Sequence, residues 1–525
     1  MAGSRRACAA VLSLLAAGLA LPAAAAADGL YTATVTEPGR SYRVSFSVLP
    51  MAPLAAAISV AQQDAQAPMT VTVRDRSTSP FSVSSCRVSF GDGTPQASQG
   101  ASCEGLTHAY ARPGTYTLTG TVTDAGGRTA TATAKAVVGP VFVPMDPARI
   151  LDTHLGLGVA EAPLGPGRTV RMKVAGAGGI GQAASVLLNL TVSHPTAGGS
   201  ITVYPTGAKR PPVSDLTFHQ GASTANLVNV PVGPDGSVYV YNSAGSVGLA
   251  VDAEGWTTTA PSAQTGTVLA NDAAIWGEFH EVLDTTGGNG LPKTGKLGQG
   301  RSLTFTALSR QRNSVESAAT AVVLDVTATH ATAASFVSAY RAGGKVPYAS
   351  ELSFGAGEAR SATIVVPVDG QGRVTLYNNF GSVDLTASVE GFYLPLVSGS
   401  SINMPVTATA APVRVLDTRL GVNARKGPIP ATGRLVFKAA GFGGVPAGAT
   451  GVLLNLTALA PSSTGYLVAW GDRNTFQPSM QALVFPRGQI TSQLVYLPLG
   501  HGQVGLYNPY GSVNVVADVM GYSVN

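Results

Sequence analysis

The sequence predicts an all-β protein made of several antiparallel β-sandwiches. Three observations carry this. Charged residues are 12% of the 525, about half the usual share, which removes coiled coils and long charged helix faces. The chain holds 63 Gly and 34 Pro, and they punctuate short runs rich in Val, Thr and Ala, the composition of strands and turns. Apolar residues recur with period 2, while no stretch of about twelve residues shows a 3.6-residue period. A hydrophobic share of 45% argues against disorder, which needs low hydrophobicity and high charge.

The N-terminus comes first in chain order. Arg5 and Arg6 precede an apolar run from Ala7 to Leu21, and Pro22 with Ala23–Ala27 offers small-residue cleavage positions before Asp28. This reads as a signal peptide over residues 1–27, removed on export. The general route is favoured over a twin-arginine route, because Cys8 and Ala9 stand where bulky apolar residues belong. No later run is long and apolar enough to suggest a spanning helix. The protein is therefore expected to be secreted, extracellular or associated with the cell wall. The formal net charge of +5 is mild, and no Lys/Arg-rich run occurs, so nucleic acid is not expected as a partner.

Residues 28–49 read as a short N-terminal β segment. The next stretch, about 50–139, differs in texture from the rest. Gly91 and Gly93 permit a tight turn, in which Asp92 can bond its own backbone. Tyr116, Leu118, Gly120 and Val122 alternate with Thr117, Thr119 and Thr121 in a strand. Cys86 and Cys103 are the two cysteines left after cleavage. In an exported protein they are expected to form a disulfide, worth roughly 3 kcal/mol for a loop of this size.

Three long repeats follow. Leu151-Asp152-Thr153 returns as Leu283-Asp284-Thr285 and Leu416-Asp417-Thr418, spaced by ~132 residues. Leu188-Asn189-Leu190-Thr191 matches Leu324-Asp325-Val326-Thr327 and Leu454-Asn455-Leu456-Thr457. Tyr241-Asn242, Tyr377-Asn378 and Tyr507-Asn508 come next, each followed by Gly-Ser-Val and then by Gly with Trp256, Phe392 or Tyr522. At this length each copy is a domain rather than one turn of a solenoid. The boundaries read as 141–259, 266–396 and 403–525, with Ala260 to Gln264 and Ser398 to Met404 as linkers.

Within the first copy, Val186, Leu188, Leu190 and Val192 alternate with Leu187, Asn189 and Thr191, the pattern of a half-buried strand. The segment from Tyr241 to Val247 reads as a tight hairpin loop joining the last two strands, because Asn and Gly accept positive φ. Each copy is expected to fold as its own sandwich, and residues 403–525 alone to melt cooperatively.

Two resemblances add to this reading. Phe90-Gly-Asp92-Gly-Thr94, His108-Ala-Tyr110, Pro113-Gly-Thr-Tyr116 and Val122-Thr-Asp124 resemble the motifs of the PKD domain. The resemblance implies an immunoglobulin-like β-sandwich of the kind found in surface and secreted proteins. The family's Trp before the Gly-Asp-Gly turn is absent, and the Cys86–Cys103 bridge can replace its packing. The repeats, through Arg149-Ile-Leu-Asp152-Thr and the Tyr-Asn to Gly-aromatic ending, are similar to repeats on exported wall-active and surface proteins of high-GC Gram-positive bacteria.

Candidate chemistry is sparse. Asp152, Asp284 and Asp417 are the recurrent acids. They suit either turn-holding or ligand contact. Arg149 can pair with Asp152, and Arg414 with Asp417, but the middle copy has Glu281 instead of the arginine. The recurrent Asp252 is replaced there by Ser388. Asp92 and Asp124 are too few carboxylates for calcium, which takes six or more oxygens. The single histidines lack zinc-ligand spacing. Gly176 to Gly181 fits the letter of a dinucleotide fingerprint but precedes a strand, not a helix. No catalytic residue, metal or cofactor is expected. The tyrosines Tyr241, Tyr377 and Tyr507, and the closing aromatics, fit either a core or a sugar-stacking set. The function expected is non-enzymatic, multivalent binding of a cell-wall polysaccharide or a surface protein. A ligand-free structural spacer is the alternative, and a secreted hydrolase a poorer one.

Overall fold

The structure, a computed structural model, describes residues 29–37, 40–48, 52–61, 67–259, 269–271, 280–291, 294–309, 319–395, 406–471, 481–499 and 501–524. The signal peptide and both linkers read from the sequence lie outside these residues. The described residues are strands and turns without a helix, so the all-β expectation holds, and no helix is long and apolar enough to cross a membrane.

Gly29–Glu37 and Arg40–Val48 pair as an antiparallel hairpin. Residues 58–138 then form two three-stranded sheets. Val83–Ser89 pairs with Gly114–Asp124. The inward positions Cys86, Val88, Leu118 and Val122 are all fully buried, as the period-2 pattern requires. Gly120 has no room for a side chain, since a Cβ there would lie 2.8 Å from Ile58 of the opposite sheet. Cys86 and Cys103 are joined in a disulfide with a Cα–Cα distance of 5.5 Å. That bridge anchors the loop after the Gly-Asp-Gly turn, where the sequence lacks an aromatic anchor.

The three repeats share one pattern of strand pairing. In the first copy one sheet runs Val141–Asp152, Gly248–Thr258, Ser185–Ser193, Thr224–Pro231. The other runs Thr169–Lys173, Ser237–Asn242, Gly199–Pro205, Leu216–Phe218. The same two orders recur in the second and third copies, giving three homologous sandwiches, and Leu269–Asn271 joins the first of these sheets in copies one and two into one nine-stranded sheet. Each has its own core. Val186, Leu188, Leu190, Val247 and Val251 fill the first. Their counterparts Val322, Leu324, Val383 and Ala387, and Val452, Leu454, Val513 and Ala517, fill the others.

The last two strands of each copy do not form the expected hairpin. Ser237–Asn242 pairs with strands of one sheet, and Gly248–Thr258 with strands of the other. The connection crosses between sheets. Asn242 holds it: its Nδ2 donates to the carbonyls of Leu164, Gly165 and Gly245. Asn508 repeats all three bonds, and Asn378 repeats two of them, to Leu297 and Gly381. The glycine in this crossing is obligatory. Gly245, Gly381 and Gly511 have φ of 62°, 59° and 58°. A Cβ at any of them would fall within 2.7 Å of the loop from residue 194, 330 or 460 that packs beneath.

Burial also departs from the expectation. The strand Ser185–Ser193 is buried on both faces, not one. Leu187, Asn189 and Thr191 point away from the core of their own copy and are covered by neighbouring copies. Leu187, Val323 and Leu453 occupy the same position in the three copies, and they meet with Leu227, Val365, Leu494 and Met520 in a fourth apolar cluster. A cavity of about 40 Å³ remains between them.

Polar contacts close the arrangement into a cycle. Asn189 of the first copy donates from Nδ2 to the Ser350 carbonyl of the second, at 2.5 Å. Asp325 of the second accepts from Gln493 Nε2 of the third, at 2.6 Å. Asn455 of the third donates to the Ser214 and Asp215 carbonyls of the first, and its Oδ1 accepts from Asn226. The three residues are equivalent, so each copy grips the next through the same strand position. These buried polar groups have partners, as burial away from water demands.

Candidate functional site

Borders between copies create two recesses among the described residues. The border of the first and second copies holds a groove of about 820 Å³. Its first-copy wall comes from the turn after the Leu-Asp-Thr motif and from the loop at His194. Its second-copy wall comes from Phe336, Tyr377 and the segment Val346 to Ser350. Asp152, a turn-holding or ligand-contact candidate in the sequence, lies in the first wall. Its Oδ1 accepts from the His154 and Leu155 amides, closing an Asx-type turn. Its Oδ2 meets Arg149 at 2.6 Å.

Arg149 is the hub of that wall. Its Nε and Nη2 fork onto both oxygens of Asp252, and Tyr348 lies 4.8 Å from its guanidinium. Burial works against the arginine's charge, but the bonds from Asp252 and Asp152 keep its pKa above the ordinary value. Burial also raises the Asp252 pKa, against the pull of Arg149. Both shifts reflect one buried ion cluster in a poorly solvated place.

The third copy repeats the cluster. Arg414 forks onto Asp518 and reaches Asp417 at 3.3 Å. Asp417 is fully buried, and Arg419 binds both its oxygens. Those bonds, with the Arg419 amide, lower its pKa. Asp284 in the middle copy lacks an arginine. It accepts instead from the hydroxyl and amide of Thr286, and its pKa is lowered mainly by that hydroxyl. The middle copy has lost the arginine and the second aspartate together, to Glu281 and Ser388.

A second groove, of about 630 Å³, lies at the border of the third and first copies. It is built from equivalent positions. Arg414, Arg419 and Thr457 stand where Arg149, His154 and Thr191 stand in the other, and Tyr241 replaces Tyr377. At the border of the second and third copies, the corresponding wall segment falls in residues 472–480, outside the described residues. Of the aromatics singled out in the sequence, Trp256 and Phe392 belong to cores, while Tyr241 and Tyr377 line grooves. Tyr348, 68% exposed, gave no signal in the sequence. It lies in a loop between strands and has no counterpart repeated in the first copy, where Pro212 takes its place.

The other candidates have simple geometries. Asp124 is held by Arg128 at 2.7 Å and by the turn amides of Gly126 and Arg128, which occupies its lone pairs. Asp92 accepts from the amide and hydroxyl of Thr94. Among the described residues, one group of three potential metal ligands comes together, Asp75 with Cys86 and Cys103. Its sulfurs are bonded to each other and offer no thiolate.

Residues 50–138 match the family model of the PKD domain, so this stretch is a PKD domain. No curated protein matches the chain. Among solved structures, the chain is similar to carbohydrate-binding modules of the β-sandwich superfamily at 14% identity. That match covers 39% of this chain and 98% of the other, with a TM-score of 0.16. It is similar to a tetra-tandem repeat from the extending region of a large adhesion protein at 12% identity, covering 90% and 97%, with a TM-score of 0.17. A triple jelly roll protein from the turret of an archaeal virus matches at 12% identity over 73% and 91%, with a TM-score of 0.16. TM-scores of this size establish neither a common architecture nor a common ligand.

Proposed function

We propose that this chain is an exported, non-enzymatic protein that binds cell-wall polysaccharide in the grooves between its repeats. The observation that carries the reading is the groove of about 820 Å³ between the first and second copies. One wall is aromatic, with Tyr348, Tyr377 and Phe336. The other is polar, with Arg149, His154 and His194. Sugar rings present C–H faces that pack on aromatic rings and hydroxyls that bond to polar side chains, and pockets of this mixed kind fix both orientation and specificity. Linked sites on one polymer raise avidity by 10²–10⁴ without new contacts. Asp152 and Asp417 serve this reading as positioning residues, holding the turns at the groove walls, and Asp284 holds the equivalent turn of the middle copy.

The test uses the full chain with purified cell walls and soluble wall glycans. Binding is expected, and Tyr348→Ala should weaken it about tenfold, the loss of one stacking contact of ~1–1.5 kcal/mol. Equal binding by Tyr348→Ala would remove the groove as the binding site, and no retention of the parent chain on walls would leave the spacer reading in its place. Export is checked separately. Mass spectrometry of the supernatant and wall fractions should give a mature N-terminus between Ala23 and Asp28. An intact Met1 form confined to the cytosol contradicts it.

A further inference from the structure

We infer that the groove between the third and first copies takes an anionic group, a carboxylate or phosphate carried on a polysaccharide. This rests on the polysaccharide reading of the grooves and deepens it. The two grooves share a framework but differ in charge at two equivalent positions. Val346, on the wall of the first groove, is replaced in the second by Arg210. His154, in the turn after the Leu-Asp-Thr motif, is replaced by Arg419. Both changes add a guanidinium, and both side chains face the recess.

The charge balance reverses as a result. In the groove between the first and second copies, one guanidinium, Arg149, is matched by two carboxylates, Asp152 and Asp252. In the other groove, Arg210, Arg414 and Arg419 face Asp417 and Asp518, with Asp215 buried behind them. His219 also lines this groove but adds no charge, because its Nε2 accepts the Ile490 amide at 2.8 Å. Burial and Arg360 keep its pKa low.

Arg210 is the surplus cation. Its guanidinium lies 3.8 Å from the centroid of the Tyr241 ring. Among the described residues no carboxylate lies within ion-pair distance of it. Stacking on Tyr241 fixes the plane of the guanidinium and leaves its N–H edge open. A planar fork held this way matches the two oxygens of a carboxylate or phosphate. Arg419 is 47% exposed at its side chain although it binds Asp417, so it offers a second donor from the opposite wall.

The experiment measures binding of the full chain by calorimetry at low and moderate salt. The probes are an oligogalacturonate, a glycerol-phosphate oligomer and a neutral glucan of similar length. At least one anionic oligomer should bind more tightly than the glucan, with an affinity that falls as salt rises. The two anionic arms separate a carboxylate from a phosphate source. Arg210→Gln should weaken the anionic oligomer about tenfold or more and leave the glucan unchanged. Arg210→Lys should restore only part of the loss, because an ammonium lacks the fork. Tyr348→Ala should affect the glucan and spare the anion. An unchanged anion affinity in Arg210→Gln overturns the inference, as does equal binding of single-stranded DNA. Glucan binding with neither anion bound overturns the inference alone, whereas no binding by any probe removes the polysaccharide reading as well.

Discussion

Arg149→Ala is expected to destabilise the triplicated region by about 3–5 kcal/mol, the usual loss when one partner of a buried ion pair is removed. The arginine side chain is 12% exposed, and Asp152 and Asp252 are 7% and 0% exposed. Without it, two carboxylates remain in a poorly solvated place with no countercharge. The protein contains its own control. The middle copy has no arginine here and no second aspartate, with Glu281 and Ser388 in their places, and it still folds around an intact core. The double change Arg149→Met with Asp252→Ser should therefore recover much of the loss, giving a strong positive coupling in a double-mutant cycle. Calorimetry of the full chain measures both. If the three copies unfold together, Arg149→Ala should lower the midpoint by about 5 °C, and by roughly three times more if the first copy unfolds by itself. Additive single effects would show that the two residues act independently.

A fall in stability as pH rises from 5 to 8 is the second large effect. Burial pushes the Asp215 and Asp325 carboxyls up to about 7 and Glu351 up to about 8. Glu254 and Glu390 are raised for the same reason. In the unfolded chain these groups ionise near pH 4. Their contribution is thus fully present below pH 4 and is lost as pH rises through 7 to 8. A carboxyl held one pH unit above its unfolded pKa costs the folded state about 1.4 kcal/mol once it is ionised. Asp284, Asp369 and Asp417 shift the other way. They lose stability only below the ordinary carboxylate range and do not offset the decline. Asp325 faces Gln493 and Thr327, and its equivalents in the other copies are Asn189 and Asn455. Asp325→Asn keeps an acceptor for Gln493 and removes the ionisation. It should raise the midpoint at pH 8 while changing it little at pH 5. A midpoint that is flat or rising over this range in the parent protein would refute the assignment.

The sequence made some of this legible and hid the rest for physical reasons. The strand positions, the cores and the Cys86–Cys103 bridge follow from alternation, turn residues and cysteine count, all of which are local signals. The outward positions of Ser185–Ser193 were ambiguous in principle. Asn189 and Thr191 are the residues a solvated face uses, and a buried polar contact with a neighbour uses the same ones. The fork of Arg149 on Asp252 spans a separation of 103 residues and leaves no periodic trace. The joint loss of both partners in the middle copy was the one clue to it. The crossing after Asn242 looked like a hairpin because Asn and Gly serve both kinds of turn. The grooves combine residues from two copies, so no single repeat contains one, and Arg210 and Tyr348 stood outside every motif.

The central claim is that the three copies hold one another through Asn189, Asp325, Asn455 and the shared apolar cluster. A protease site placed in the segment from Ser398 to Met404, which the sequence reads as a linker, tests this most directly. After complete cleavage of the folded full chain, gel filtration with light scattering gives the mass of what remains together. The account predicts that the third copy co-elutes with the rest and parts from it only when the protein is denatured. Release of the third copy as a separate folded monomer under native conditions would contradict it.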